Sequence, residues 1–152
     1  MTKKTRLRGG EILARALKEK GVDHVFTLAG GFCNPALEGF MNCQMPVINC
    51  PHEQIAGHLA DGHTRITRKP SICLVGPEGF ANAVPAMLEA GGERAPVIFV
   101  TGSSTLKRPG SGGFNAIDDL AIAAPPAKSC FQTHHELPTT DFVSRDWTAA
   151  NP

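Results

Sequence analysis

One carboxylate in this chain has a position that suits chemistry. Glu53 directly follows the short apolar run Pro46–Cys50 and the dipeptide Pro51-His52, and a helix is predicted to begin immediately after it. In α/β folds, ligands bind at the carboxyl edge of the sheet, where strands end and helices begin. Glu53 is therefore the first candidate for a catalytic residue. The alternative is purely structural: a carboxylate at a helix N-terminus stabilises the helix by about 0.3–1 kcal/mol.

Three other predicted strands end in glycine-containing turns, which are Gly30-Gly31, Gly76-Pro77-Glu78-Gly79 and Thr101-Gly102-Ser103. Glycine lets the backbone approach a ligand closely, and the helix starts that follow offer free N–H groups. The pattern predicts a ligand at this edge, with loop geometry alone as the alternative. The turns lack the Lys-Ser/Thr of a P-loop, and no GxGxxG follows the first strand.

The histidines and cysteines do not follow a metal-binding pattern. His52, His58 and His63 miss the HExxH spacing and would not share one helical face, so we predict no metal site. The five cysteines are widely spaced and contain no CxxC pair. They are expected to be small buried residues of a cytoplasmic protein.

Composition predicts one globular domain. The 152 residues are 41% hydrophobic and 19% charged with a net charge of +1, which gives no reason to expect nucleic acid as a partner. No apolar run approaches the roughly 20 residues that span a bilayer, so no membrane association is expected. The basic residues Lys3, Lys4, Arg6 and Arg8 predict a flexible N-terminal arm over residues 1–8.

Short apolar segments alternate with amphipathic ones, which predicts an α/β fold with a doubly wound, mostly parallel sheet and helices on both faces. Predicted strands cover residues 25–28, 47–50, 71–75, 96–100 and 128–131. Predicted helices cover residues 11–20, 35–41, 55–66, 82–88 and 118–123, with Asn34 as the N-cap of the second, and a last helix is capped by Thr140. The chain stops where the alternation would place another strand, so a fragment that lacks its last strand is expected.

Four motifs resemble those of one enzyme family. His52-Glu53-Gln54 with Ala60-Asp61-Gly62 resembles the "HEQxAxxxADGYAR" helix of thiamine diphosphate-dependent enzymes. The other three motifs, each in the family's order, are Gly76 to Val84 (similar to "SGPGxTNAV"), Pro96 to Gly102 (similar to "PVxxITG") and Gly113 to Asp118 (similar to "GxFQExD"). The resemblance runs from about Arg8 to Trp147. It identifies residues 9–152 as an N-terminal pyrimidine-binding (PYR) domain, and Phe26–Gly31 resembles the acetolactate synthase-like group.

The resemblance implies a function and a set of site residues. Glu53 would activate thiamine diphosphate by hydrogen bonding to its aminopyrimidine. Gly30, Gly31, Gly79 and Asn82 would contact the cofactor, while Phe114 and Asn115 would face the substrate. The family's reaction is decarboxylation of a 2-oxo acid and carboligation to a second carbonyl compound, carried out by homo-oligomers that are at least dimers.

The resemblance also implies that the part of the family's active site that binds the diphosphate lies outside these residues. In the family, Mg²⁺ and the diphosphate are held by a "GDG…NN" motif in a separate diphosphate-binding domain. This motif and a central domain are absent here. The chain alone is therefore expected to be inactive.

Three departures from the family pattern leave alternatives open. Glu78 replaces a proline, Asn115-Ala116 replaces Gln-Glu, and Ala29 replaces a proline before Gly30. Another thiamine diphosphate-dependent decarboxylase, of the 2-oxo acid or oxalyl type, is one alternative. A non-catalytic truncated domain that only pairs with a complete subunit is a second, and an unrelated nucleotide-binding domain is a third.

Overall fold

The computed structural model describes residues 7–102, 117–133, 140–141 and 143–144. Helices and strands alternate along this part of the chain. In chain order they are α1 (Gly9–Glu19), β1 (Val25–Thr27), α2 (Asn34–Asn42), β2 (Val47–Asn49), α3 (Glu53–Thr67), β3 (Ser71–Val75), α4 (Pro77–Gly92), β4 (Val97–Thr101) and α5 (Asp119–Ala123).

The four strands form one parallel sheet in the order β2-β1-β3-β4. Because every pair is parallel, all four strands end at the same edge. The turns that follow β1, β2, β3 and β4 therefore lie side by side, which is the arrangement that the sequence predicted for the ligand edge.

Alternating side chains of the sheet face two different cores. Val25, Ile72 and Leu74 pack with residues of α1 and α2, whereas Phe26 and Cys73 pack with residues of α3 and α4. The predicted α/β fold, with a parallel sheet and helices on both faces, is confirmed. Burial is complete only on the central strands β1 and β3, since the edge strand β2 leaves Ile48 partly exposed.

Local signals explain most of the element boundaries. The stop after α1 is confirmed, because Gly21 has a φ of +87°, a left-handed conformation that glycine adopts without a steric penalty. The N-cap of α2 is one residue earlier than predicted: Cys33 holds that place, and Asn34 is the first helical residue. Arg8, the last residue of the predicted arm, is the N-cap of α1 and forms an exposed ion pair with Glu38.

Helices α1 and α2 touch through two glycines. A Cβ atom at Gly39 would overlap the backbone of Gly10, and one at Gly10 would overlap the carbonyl of Pro35. Backbone-to-backbone packing of this kind leaves no space for a side chain, so both glycines are required for the first core to close.

Helices α3 and α4 are held together in two ways. A Cβ atom at Gly57 would lie 2.5 Å from Cβ of Ala86, so the helices pack closely at this point. Further along α3, Arg65 binds both carboxylate oxygens of the buried Asp61 at 3.0 Å and reaches Glu89 of α4 at 3.4 Å. These contacts fix α3 against α4, which matters because the N-terminal ends of both helices lie beside the strand ends.

Two predictions about the last part of the chain have different outcomes. The strand predicted over residues 128–131 is wrong, because this segment is not in a strand and pairs with none. It follows two prolines, and its Cys130 packs against the core beneath α3 and α4 instead. The helix predicted after Thr140 is supported where it is described, since residues 140–141 and 143–144 are helical and Val143 is buried.

Across the described residues, no helix combines the length and hydropathy needed to cross a membrane.

The glycine contact between α1 and α2 gives a stability test. We expect Gly39→Ala to lower the free energy of unfolding by about 1–3 kcal/mol, because the added methyl group meets backbone that cannot move aside. Gly62→Ala is the matched control: it lies within α3 with open space around it, so it should be neutral or raise stability by about 0.5–1 kcal/mol. Urea unfolding followed by circular dichroism measures both, and equal midpoints for the two variants would contradict the packing argument.

Candidate active site

Glu53 is the first residue of α3, and a capping hydrogen bond holds the backbone at the start of this helix. The N-cap is His52, whose Nδ1 accepts a hydrogen bond from the Gln54 N–H at 3.1 Å. The same nitrogen lies 4.0 Å from Oε2 of Glu53, but its lone pair already faces Gln54, so this contact is not an ion pair. The Glu53 side chain is 14% exposed, so most of it is shielded from solvent.

The first turn of α4 holds the Glu53 carboxylate. Asn82 donates a hydrogen bond from Nδ2 to Oε2 of Glu53 at 3.1 Å. The other carboxylate oxygen lies against Gly79, where an added Cβ would overlap Oε1 and lie 2.9 Å from the carboxyl carbon. Glycine at position 79 is therefore a requirement of this contact. Three of the predicted site residues, Glu53, Gly79 and Asn82, thus come together in space although Glu53 and Asn82 are 29 positions apart in the sequence.

The turn after β1 forms a second wall of the same edge. Asn49, the last residue of β2, accepts a hydrogen bond from the Ala29 N–H at 3.0 Å, and the Gly30 carbonyl accepts one from the Cys33 N–H at 2.9 Å. Gly30 and Gly31 are exposed, have no positive φ, and leave open space where a Cβ would lie. Nothing in the fold of the described residues requires glycine at these two positions.

The end of β4 supports this turn from below. A Cβ atom at Gly102 would lie 2.5 Å from the carbonyl oxygen of Phe32 and 2.8 Å from its Cβ. Gly102 therefore lets the turn after β1 rest directly on the sheet edge. Sequence reasoning placed Gly102 in one of the turns but found neither this contact nor the role of Asn49. An asparagine at the last position of a strand was the available signal for the latter.

Two of the predicted site residues, Phe114 and Asn115, lie outside the described residues. His52 and His58 belong to no group of metal-ligating side chains in the part of the chain that the structure describes.

Three cysteines lie buried near the candidate site. Burial raises the pKa of Cys33 to about 11 and that of Cys73 to about 12, and the negative charge of Glu53 adds to both shifts. Burial also raises the pKa of Cys50. These thiols therefore stay protonated at neutral pH and are neither nucleophiles nor metal ligands as they stand. They act as small apolar residues, as the sequence predicted.

Comparison with known proteins identifies the family. A family model described as "Thiamine pyrophosphate enzyme, N-terminal TPP binding domain" matches residues 7–122, which is most of the chain. The chain belongs to this family. Thiamine pyrophosphate is thiamine diphosphate, so the resemblance noted in the sequence is confirmed, and the fold is that of the family's PYR domain.

The chain is similar to curated proteins that are named either acetolactate synthase or 2-hydroxyacyl-CoA lyase. The chain is 32% identical to acetolactate synthase large subunit IlvG of Mycobacterium tuberculosis, over 80% of the chain and 22% of that protein. It is 33% identical to a probable acetolactate synthase large subunit of Methanocaldococcus jannaschii, over 88% of the chain and 23% of that protein. It is also 34% identical to 2-hydroxyacyl-CoA lyase 2 of Bos taurus, over 80% of the chain and 20% of that protein. The chain thus spans about a fifth of the length of these relatives.

The cysteine environment gives a chemical test. At pH 8 we expect iodoacetamide to modify the partly exposed Cys43 and Cys130 first, and Cys33 and Cys73 at least about 100-fold more slowly, because a raised pKa lowers the thiolate fraction. Peptide mass spectrometry over a time course measures each rate. In denaturant all five should react alike, and equal rates for Cys73 and Cys43 in the folded chain would contradict the assignment.

Proposed function

We propose that this chain supplies the pyrimidine-binding half of the active site of an acetolactate synthase-like enzyme, with Glu53 as the residue that activates thiamine diphosphate. The observation that carries the proposal is the position of the Glu53 carboxylate. It is held by Asn82 and seated against Gly79 at the strand ends, rather than pointing into solvent as a simple helix-end charge would.

The residues present fit the pyrimidine end of the cofactor. The Glu53 carboxyl group can share a hydrogen with a ring nitrogen, and Asn82 keeps it from rotating away. The exposed backbone at Gly30 and Gly31 offers a surface without side chains to a flat group in the mouth of the sheet. When bound, thiamine diphosphate supplies the electron sink for breaking the bond next to a carbonyl group.

The residues of this edge do not fit the other end of the cofactor. Among the described residues, Glu53 is the carboxylate of this edge that is held in place, and its contacts are with Asn82 and Gly79. We therefore assign Mg²⁺ and the diphosphate to a separate diphosphate-binding domain. By itself the chain would then hold the cofactor by its pyrimidine end only, and activity would require that second half.

Exposed apolar residues on α3 and α4 support the proposal that a partner subunit binds there. Ile55, Leu59 and Ile66 follow one face of α3 at helical spacing, and Leu88 lies on the outer side of α4; all four are exposed. The two helices pack against each other at Gly57 and Ala86, and we call these four exposed residues together the α3–α4 patch. A second copy of the subunit is the occupant we propose, because the patch begins at Ile55, two residues from Glu53, and pairing would enclose the mouth of the site.

The names of the relatives indicate two substrate classes, 2-oxo acids and 2-hydroxyacyl-CoA thioesters, which an assay has to distinguish. Acetolactate synthases and a 2-hydroxyacyl-CoA lyase are similar to this chain to nearly the same degree. We propose a 2-oxo acid as the first substrate, with transfer to a second carbonyl compound, in a cytoplasmic enzyme. Assaying the complete enzyme with pyruvate and, separately, with a 2-hydroxyacyl-CoA distinguishes the two classes, and turnover of the thioester alone would overturn the choice of substrate.

The role of Glu53 is tested by Glu53→Gln in the complete enzyme. We expect exchange of the cofactor's C2 proton, followed by NMR in deuterated buffer, to slow by at least about 100-fold, because the amide cannot share a proton as a carboxyl group does. Wild-type exchange in this variant would contradict the proposal.

Glu78→Gln is the matched control for this experiment. Glu78 lies in the first turn of α4 as Glu53 lies in the first turn of α3, so both substitutions remove a favourable helix-end charge. Glu78, however, is exposed. We expect its variant to keep wild-type exchange, and equal losses in the two variants would show that the effect comes from helix stability.

The α3–α4 patch is tested by Leu59→Asp. Placing a charge in an apolar interface should raise the dissociation constant of the dimer at least tenfold, as measured by sedimentation of the complete enzyme over a dilution series. Met41→Asp is the control, since Met41 is also exposed but lies on α2, at the opposite face of the sheet. Dissociation caused by Met41→Asp but not by Leu59→Asp would overturn the assignment of the patch.

A further inference from the structure

Three metal-ligating side chains meet at the edge of the sheet opposite to Glu53. Asp23 and His24 directly precede β1, and His63 lies in the second half of α3. Oδ1 of Asp23 is 3.1 Å from Nδ1 of His24 and 3.5 Å from Nε2 of His63, and the two imidazole rings are 5.0 Å apart. Within the described residues, this is the group whose ligand atoms all lie within 4.8 Å of one another.

The His63 ring is oriented by a contact on its other nitrogen. Its Nδ1 lies 2.8 Å from Oγ of Ser71, the buried first residue of β3. When Nδ1 donates its hydrogen to this hydroxyl group, Nε2 presents a lone pair toward Asp23. Metal-bound histidines generally have such a partner on the second nitrogen, because it fixes the tautomer and the ring orientation.

The surrounding residues hold the cluster in place. The ring of Phe26 in β1 is 5.6 Å from the His63 ring and 6.4 Å from the His24 ring. All three ligands are part-buried, with His63 at 19% exposure, so solvent can occupy further coordination positions.

We propose that Asp23, His24 and His63 form a binding site for a divalent transition metal ion such as Zn²⁺. Tetrahedral sites with bonds of about 2.0–2.1 Å place neighbouring ligand atoms about 3.3–3.4 Å apart, close to the 3.1 Å and 3.5 Å that separate Oδ1 of Asp23 from the two histidine nitrogens. Two imidazoles and one carboxylate suit first-row metals such as Zn²⁺, Co²⁺ and Ni²⁺ rather than Mg²⁺ or Ca²⁺, which prefer oxygen ligands.

Metal binding here would join α3 to the start of β1. His63 follows Glu53 by ten residues in the same helix, which corresponds to about 15 Å along its axis. The ion would therefore fix the far end of the helix that begins with Glu53, without taking part in chemistry there. This site is independent of the proposed catalytic function and of any metal in a diphosphate-binding domain.

The experiment is a titration of the full 152-residue chain with Co²⁺ and Zn²⁺. Co²⁺ reports its ligands by visible absorption, and Zn²⁺ affinity is then measured by competition against bound Co²⁺. We expect d–d bands of a nitrogen and oxygen site without a sulfur-to-cobalt charge-transfer band. Asp23→Asn, His24→Ala and His63→Ala should each weaken Zn²⁺ binding at least tenfold.

His58→Ala is the matched control, because His58 is an exposed histidine of the same helix. A double substitution of His134 and His135 provides a second control for adjacent histidines elsewhere in the sequence. Both controls should bind Zn²⁺ as the wild-type chain does, and circular dichroism checks that each variant is folded. Asp23→Asn preserves shape and serves as the test if a histidine variant unfolds. Equal Zn²⁺ affinity in wild-type and Asp23→Asn chains, or a sulfur-to-cobalt band, would overturn the proposal.

Discussion

The contact between the start of α3 and the start of α4 is the constraint on which the site depends. A carboxylate on one helix is seated against the bare backbone of the other at Gly79, and Asn82 completes the contact. Such closeness is possible only because the helices also approach at Gly57, where a side chain would meet Ala86. The parallel sheet places the starts of both helices at the same edge, because α3 follows β2 and α4 follows β3.

Helix α3 therefore combines several requirements in 15 residues. Its inner face is made of small residues (Ala56, Gly57, Ala60 and Thr64), which let it lie close to the sheet and to α4. Its buried Asp61 is neutralised by Arg65, which in turn reaches α4. The outer face carries the α3–α4 patch. A helix restricted on this many sides is expected to tolerate few substitutions.

Much of this could be predicted from the sequence, because the determining signals are local. Apolar runs of strand length separated by amphipathic segments predict a parallel sheet, and a carboxylate placed directly after a strand predicts a site at its edge. Long-range partners could not be predicted. Nothing in the spacing shows that Asn49 holds the Ala29 N–H, or that His63 meets Asp23 and His24, since these pairs form only when the strands align. The segment 128–131 has strand-like residues, but it follows two prolines, and its Cys130 packs against the core beneath α3 and α4 instead of joining the sheet.

The apolar outer face of α3 and α4 also bears on the life of the polypeptide in the cell. Under the proposed pairing of subunits, a newly made copy that has not yet met its counterpart would display Leu59, Ile66 and Leu88 to chaperones and proteases. Its steady-state abundance would then depend on how quickly two copies associate as well as on the free energy of folding. At a low concentration of the protein, where association is slow, each unpaired molecule would be degraded sooner.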